Sequence, residues 1–212
     1  MSVSLRPIKG EPGKFFNVLT GKVIMIIEWR EDDKYDTVYV EAGAIAPGAN
    51  FNFFRDLQGK DLIDTNFTTQ RRLPAGEEMI LDRIGVKVPM AFGNTLAPPA
   101  DHKRILENGY MKFTINRKDT AEGPLTKFPP GYGLAGNTVE TGQGIVSNGV
   151  ASTAAAAKLV REQYITTDHD LDAVIWFYDR QWATGVVTMP TTTEDLVIQV
   201  FLHGLIKAAA TK

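Results

Sequence analysis

No cysteine occurs among the 212 residues, which removes disulfides, thiolate metal sites, iron–sulfur clusters and cysteine nucleophiles together. Histidine is scarce too. His102, His169 and His203 lie far apart, and none has a second histidine or a glutamate at the spacing that metal ligands take along one strand. A charge of one sign is missing: 23 Lys and Arg face 25 Asp and Glu, a formal net charge of −2, so no global field favours DNA, RNA or an anionic membrane. Long apolar runs are absent as well. The longest near the start, residues 23–27, falls far short of the ~20 residues of a membrane-spanning helix. Residues 1–20 are mixed and polar, interrupted by Pro7 and Pro12, without the pattern of a secretory leader. The expectation is a soluble chain that is not secreted by the usual route. With 43% hydrophobic and 23% charged residues, it has the composition of one globular domain.

What is present is period two. In residues 71–89 a turn at Pro74 and Gly76 feeds a run in which Ile80, Ile84, Val86 and Val88 share one parity and Arg83 and Lys87 the other. Met111, Phe113 and Ile115 alternate with Lys112, Thr114 and Asn116, and near the end Leu196, Ile198, Val200, Leu202 and Ile206 alternate with Gln199, His203 and Lys207. These patterns predict strands over 23–29, 37–41, 50–54, 79–88, 109–116, 173–178 and 196–207. The charged run Arg30 to Lys34 predicts a hairpin turn. Asp101 predicts a cap for a short helix through Leu106, stopped by a left-handed Gly109. Ser152 or Thr153 predicts a second helix through Arg161, built on four alanines. Residues 128–149, rich in glycine and without a clear period, predict a long surface loop. Residues 1–22 predict an extended, mildly basic arm: Arg6, Lys9, Lys14 and Lys22 stand against the single acid Glu11.

Several motifs suggest chemistry and then fail on context. Gly131, Gly133 and Gly136 spell G-x-G-x-x-G, but neither a preceding strand nor a following helix frames them, so dinucleotide binding is not expected. Asp168, Asp170 and Asp172 are spaced like the first ligands of a calcium loop, yet Ala173 stands where the sharp turn needs glycine; a solvated turn is the expectation. Ser147 has no nucleophile elbow around it. Hence no catalytic residue, cofactor or metal is expected. The aromatic residues Phe51, Phe53, Phe54, Trp176, Phe177 and Tyr178 read as core, and Trp182, among loop-like neighbours, as exposed.

A resemblance carries the reading further. Asn52-Phe53-Phe54-Arg55-Asp56-Leu57-Gln58-Gly59-Lys60, then Asp64-Thr65-Asn66, then Leu73-Pro74-Ala75-Gly76 leading into Ile84-Gly85-Val86-Lys87-Val88, occur in an order that resembles jelly-roll coat proteins of tailless icosahedral bacteriophages. The likeness continues through Asn108-Gly109-Tyr110-Met111-Lys112-Phe113-Thr114-Ile115, Gly123-Pro124-Leu125-Thr126-Lys127-Phe128-Pro129 and Val200-Phe201-Leu202-His203-Gly204. It implies an all-β fold: a single jelly-roll antiparallel β-sandwich over 23–207, with long loops, one or two short helices, an arm over 1–22 and a tail over 208–212. It implies a non-enzymatic capsid protein, made in the host cytoplasm and resident in the virion. Its partners would be copies of itself and other virion proteins, with solubility the ordinary role of the arm's cations and contact with packaged genome or an inner membrane the lesser one. The expected assembly residues are Arg6, Lys9, Lys14, Phe15 and Phe16 on the arm, with Tyr132 and Trp182 as loop contacts. The alternative is a phage decoration, vertex or receptor- and carbohydrate-binding jelly-roll module.

Overall fold

Where apolar residues alternate, the backbone extends. The computed structural model of the chain describes residues 5–45, 49–88, 91–92, 95–96, 99–129, 135–138, 144–147, 156–177, 180–181, 187–188, 191–192 and 195–207. Three short strands come first: β1 (Leu5–Pro7), β2 (Lys14–Asn17) and β3 (Lys22–Met25). Eight strands of the two main sheets follow, with one helix among them: β4 (Trp29–Val40), β5 (Asn50–Phe53), β6 (Glu78–Lys87), α1 (Pro99–Asn108), β7 (Gly109–Ile115), β8 (Lys118–Pro124), β9 (Ala157–Thr166), β10 (Leu171–Phe177) and β11 (Leu196–Lys207).

These eight strands form two antiparallel four-stranded sheets, ordered β9-β6-β11-β4 and β8-β7-β10-β5. Counted along the sandwich, that is 1-8-3-6 over 2-7-4-5, the strand order of a jelly roll. The all-β fold expected from alternation is the observed one. The last strand lies inside its sheet between β6 and β4, which explains why β11 is among the most apolar segments of the chain.

Register shows that the connections over 41–49, 88–108, 125–156 and 178–195 all leave one end of the sandwich. The opposite end is tighter. There Asn116 and Arg117, both with positive φ (51° and 64°), make a two-residue turn between β7 and β8, and residues 167–170 join β9 to β10. Asn116 ties these two turns together, donating from its backbone N to the Asp170 carbonyl and accepting from the Asp170 N, both at 2.8 Å.

Between the sheets lies one dry core. Met79, Leu81, Ile84, Val86, Ile198, Val200 and Leu202 of the first sheet meet Phe53, Met111, Phe113, Ile175 and Phe177 of the second, all fully buried. At roughly 1.5–3 kcal/mol per large apolar side chain removed from water, this layer is the main source of stability.

Several expectations change. Ile80 does not share a face with Ile84: the register slips at Asp82, so Met79 and Leu81 point inward before the bulge, and Ile80 points outward. The charged run from Arg30 to Lys34 is not a turn but the first half of β4, paired with β11 from Trp29↔Lys207 onward. An edge strand tolerates those charges because four of the five find partners: Arg30 Nη2 lies 2.8 Å from Asp32, Lys34 Nζ 2.6 Å from Glu77, and Asp33 2.6 Å from His203 Nδ1. Residues 157–161, expected in a helix, belong to β9, because pairing with β6 outweighs the helix preference of alanine. Residues 151–155 lie outside the described residues. Within the stretch read as a loop, Ala135–Thr138 pairs with Gly144–Ser147. The helix begins at Pro99, a residue suited to a first helical turn, with Asp101 inside that turn. Gly109 follows it without a positive φ. Its missing side chain serves packing instead, since a Cβ there would lie 2.4 Å from Leu125 Cδ1.

The N-terminal segment also differs from an extended arm. From Leu5 onward it folds into the meander β1-β2-β3, and β3 crosses the boundary expected at residue 22. A 3-10 turn at Ile26–Glu28 then passes the chain into β4.

Candidate functional site

The meander lies on the outer face of the first sheet. Phe15 and Ile24 are cross-strand partners, and with Leu5 and Leu19 they pack against Ile80, Leu205, Tyr164 and Trp29. The layer is thin and incomplete. A cavity of about 300 Å³ remains between meander and sheet, lined by Leu5, Phe15, Ile80, Leu205, Asp82 and Arg83 among others. Burial here pushes the Asp82 carboxyl above the usual carboxylate range, although Arg83, 3.2 Å away, pulls the other way.

The opposite face of the meander is open. Arg6, Phe16 and Val23 form one cross-strand row, and Lys14 stands opposite Met25. Phe16 is 39%, Val23 55% and Met25 49% exposed, so this face is both apolar and basic. Of the expected arm residues, Arg6 and Phe16 thus come together on the outside, while Phe15 turns inward to the sheet. Lys14 pairs with Glu11 at 2.6 Å, and Lys9 is exposed in the turn after β1. Tyr132 and Trp182 lie outside the described residues.

The two edges of the first sheet are finished differently. On β9 the register jumps between Lys158 and Gln163, and the residues between them bulge out. Val160 at the crest is fully exposed, and beside it Arg6, Val18, Leu19, Lys158, Arg161 and Glu162 line a groove of about 420 Å³. At the other edge, β4 is covered by residues 54–73. Asn66 accepts from the Tyr35 N at 2.9 Å and donates to the Asp33 carbonyl at 2.6 Å, while the Thr65 hydroxyl donates to the Tyr35 carbonyl at 3.0 Å. These contacts occupy backbone groups that a foreign strand would otherwise use.

Asp36 anchors that covering segment. Its fully buried carboxylate accepts from the Phe54 N at 2.6 Å and from Lys60 Nζ at 2.8 Å. Phe54 and Arg71 both take positive φ (65° and 59°), and they join through a 2.6 Å bond from the Arg71 N to the Phe54 carbonyl. The tip of the segment carries Leu62 and Ile63, 77% and 80% exposed, with Asp61 and Asp64 on either side. The Tyr35 hydroxyl donates to the Leu62 carbonyl, and Gln199 Nε2 to the Ile63 carbonyl at 3.2 Å. Burial, with the nearby charges of Asp32, Asp61 and Asp64, raises the Tyr35 pKa.

Neither the tip nor the bulge was foreseen. An apolar pair between two aspartates, D-L-I-D, was the available signal for the first. The second was hidden by the alanine run before it.

The remaining motifs settle into structure. Asp170 is 2.8 Å from Arg71, and Asp172 is held by Arg55 at 2.5 Å, so these carboxylates serve ion pairs across the tight end. His169 Nδ1 accepts from the Thr166 N at 3.0 Å. His203, expected on the polar side of its strand, is there, half-buried and stacked on Phe201. Among the described residues no group of three metal-ligating side chains occurs, and no helix is long and apolar enough to cross a membrane. Comparison with protein-family profiles, with curated proteins and with solved structures finds no match to this chain.

Proposed function

We propose that the protein is a structural subunit, a phage coat protein that assembles with copies of itself into an icosahedral shell. The strand order 1-8-3-6 over 2-7-4-5 carries this reading, because a jelly roll of this kind is a rigid brick used in viral capsids. The asymmetry of the brick supports it. All four connections between the sheets at one end are long, whereas the opposite end closes with short turns apart from the segment over 54–77. Exposed apolar side chains sit on the meander, on the bulge and on the covering segment, where side-to-side contacts would fall. Virion residence and contact with other virion proteins belong to the same proposal. Arg6, Lys9 and Lys22 would face neighbouring subunits, packaged genome or an inner membrane surface.

Sedimentation and negative-stain electron microscopy of the purified full chain test it. The expected result is discrete particles or rings whose yield rises with protein concentration. A folded protein that stays monomeric at every concentration and ionic strength tried would overturn it.

One observation favours a second reading, a carbohydrate-binding module. On the outer face of the second sheet, Trp176 stands opposite both Tyr110 and Asn50, and Asn52 donates to Asn50 Oδ1 at 3.1 Å. An aromatic pair beside amides suits stacking on a sugar ring. Glycan binding that is lost in Trp176→Ala, without any self-association, would select this reading instead.

A further inference from the structure

We propose that the acidic tip bearing Leu62 and Ile63 in one copy seats in the basic groove over the β9 bulge of the next copy, giving a head-to-tail contact. The inference rests on the assembly reading and deepens it by naming the contact.

Three observations converge. First, the two surfaces are complementary in charge. The tip carries Asp61 and Asp64, whereas three cations, Arg6, Lys158 and Arg161, line the groove against one buried acid, Glu162. Among the described residues, Asp56, Asp61 and Asp64 make no ion pair with a cation, and Arg6 and Arg161 none with a carboxylate. Second, they are complementary in chemistry. Leu62 and Ile63 project two large, mostly exposed apolar side chains, and Val18 and Leu19 line the groove beside the projecting Val160. Third, they lie on opposite edges of the same sheet, β4 and β9, separated by three interstrand spacings or about 14 Å. A tip on the β4 edge therefore meets the groove of a neighbour when subunits are laid side by side in one sense.

Such a contact is heterologous: each copy offers one tip and one groove, so contacts repeat until a ring or shell closes. Buried apolar side chains would supply the attraction, and the charges would set register and speed encounter.

The test uses two variants of the full chain. The tip variant, Asp61→Asn/Leu62→Ser/Asp64→Asn, keeps oxygen acceptors for the turn, where Asp61 Oδ1 accepts from the Ile63 N at 2.8 Å. The groove variant is Arg6→Glu/Val160→Glu/Arg161→Glu, all at exposed positions. Circular dichroism and a thermal melt establish that each is folded. Each alone is expected to self-associate about a hundredfold more weakly than the wild-type chain. Mixed, they are expected to form a one-to-one dimer and stop, because only one intact tip and one intact groove remain. Assembly of both variants like the wild type would overturn this contact and leave the assembly reading standing. Homodimers of either variant, or no heterodimer on mixing folded variants, would also overturn it. A monomeric wild-type chain would overturn both.

Discussion

The first sheet has two apolar faces, and they are built to different standards. Its inner face packs on the second sheet, and Ile198, Val200 and Leu202 are fully buried there. Its outer face meets a three-stranded meander too small to seal it. Ile80 is buried, but Leu205, Phe15 and Ile24 are only half-buried and a cavity of about 300 Å³ lies beneath them. Close packing resists adjustment, while a loosely packed cover can shift at lower cost. The meander that partly covers the outer face also places Arg6 and Val18 at the groove on the β9 edge, so under the proposed assembly covering the sheet and offering a contact surface fall to one segment.

Gly204 stands where the two faces are joined, and its substitution has the largest expected effect. A Cβ there would lie 2.0 Å from the Ile80 carbonyl oxygen and 3.1 Å from the Leu81 Cα, which are backbone atoms that no rotamer change can move. The close approach follows from the slip at Asp82, which brings Gly204 opposite Leu81. Gly204→Ala is expected to cost more than about 4 kcal/mol and to give largely insoluble protein. Urea unfolding near the wild-type midpoint would show that the sheet absorbs the side chain, and the account of the slip would then be wrong.

A matched pair of deletions on one strand sharpens the contrast. Leu202 faces the dry core and Leu205 the meander, and both become alanine. Leu202→Ala is expected to lose about 3–4 kcal/mol, since its surroundings are fully packed and the hole cannot collapse. Leu205→Ala borders an existing cavity and starts half-exposed, so about 1 kcal/mol is expected. Equal losses in denaturant melts would mean that the meander seals its face as tightly as the second sheet does.

This contrast was only half legible from the residues. The inner face was plain, because Met111, Phe113 and Ile115 or Ile198, Val200 and Leu202 alternate without interruption and burial leaves no choice of face. The outer face was not, because a slip of one residue at Asp82 moves Ile80 to the other side while leaving its place in the chain unchanged. Charge misled at β4. The run from Arg30 to Lys34 looks like a turn until Glu77 and His203, remote in sequence, supply its partners. On the meander, the exposure of Arg6, Lys9 and Lys14 was readable from basic residues mingled with prolines and glycines, but nothing in the pattern separated the exposed Phe16 from Phe15, which turns inward. The tip at Leu62 and the crest at Val160 were not, since exposure of an apolar side chain is decided by what fails to cover it, and that depends on the whole fold.

The smallest effect concerns the residue at the slip itself. Asp82 lies half-buried at the cavity beneath the meander, and burial raises its pKa above the ordinary carboxylate value more than Arg83 lowers it. The folded chain therefore holds this proton more tightly than the unfolded chain does. Its contribution to stability is fully present below the ordinary carboxylate pKa and is lost as pH rises through the raised folded value. Asp82→Asn removes that loss. Urea midpoints measured from about pH 4 to about pH 7 are expected to fall less steeply for the variant than for the wild type, with the variant equal or more stable near neutrality. A variant that is less stable near neutrality would mean that the ion pair with Arg83 outweighs the cost of burial. The outer face would then be held by charge as much as by its thin apolar layer.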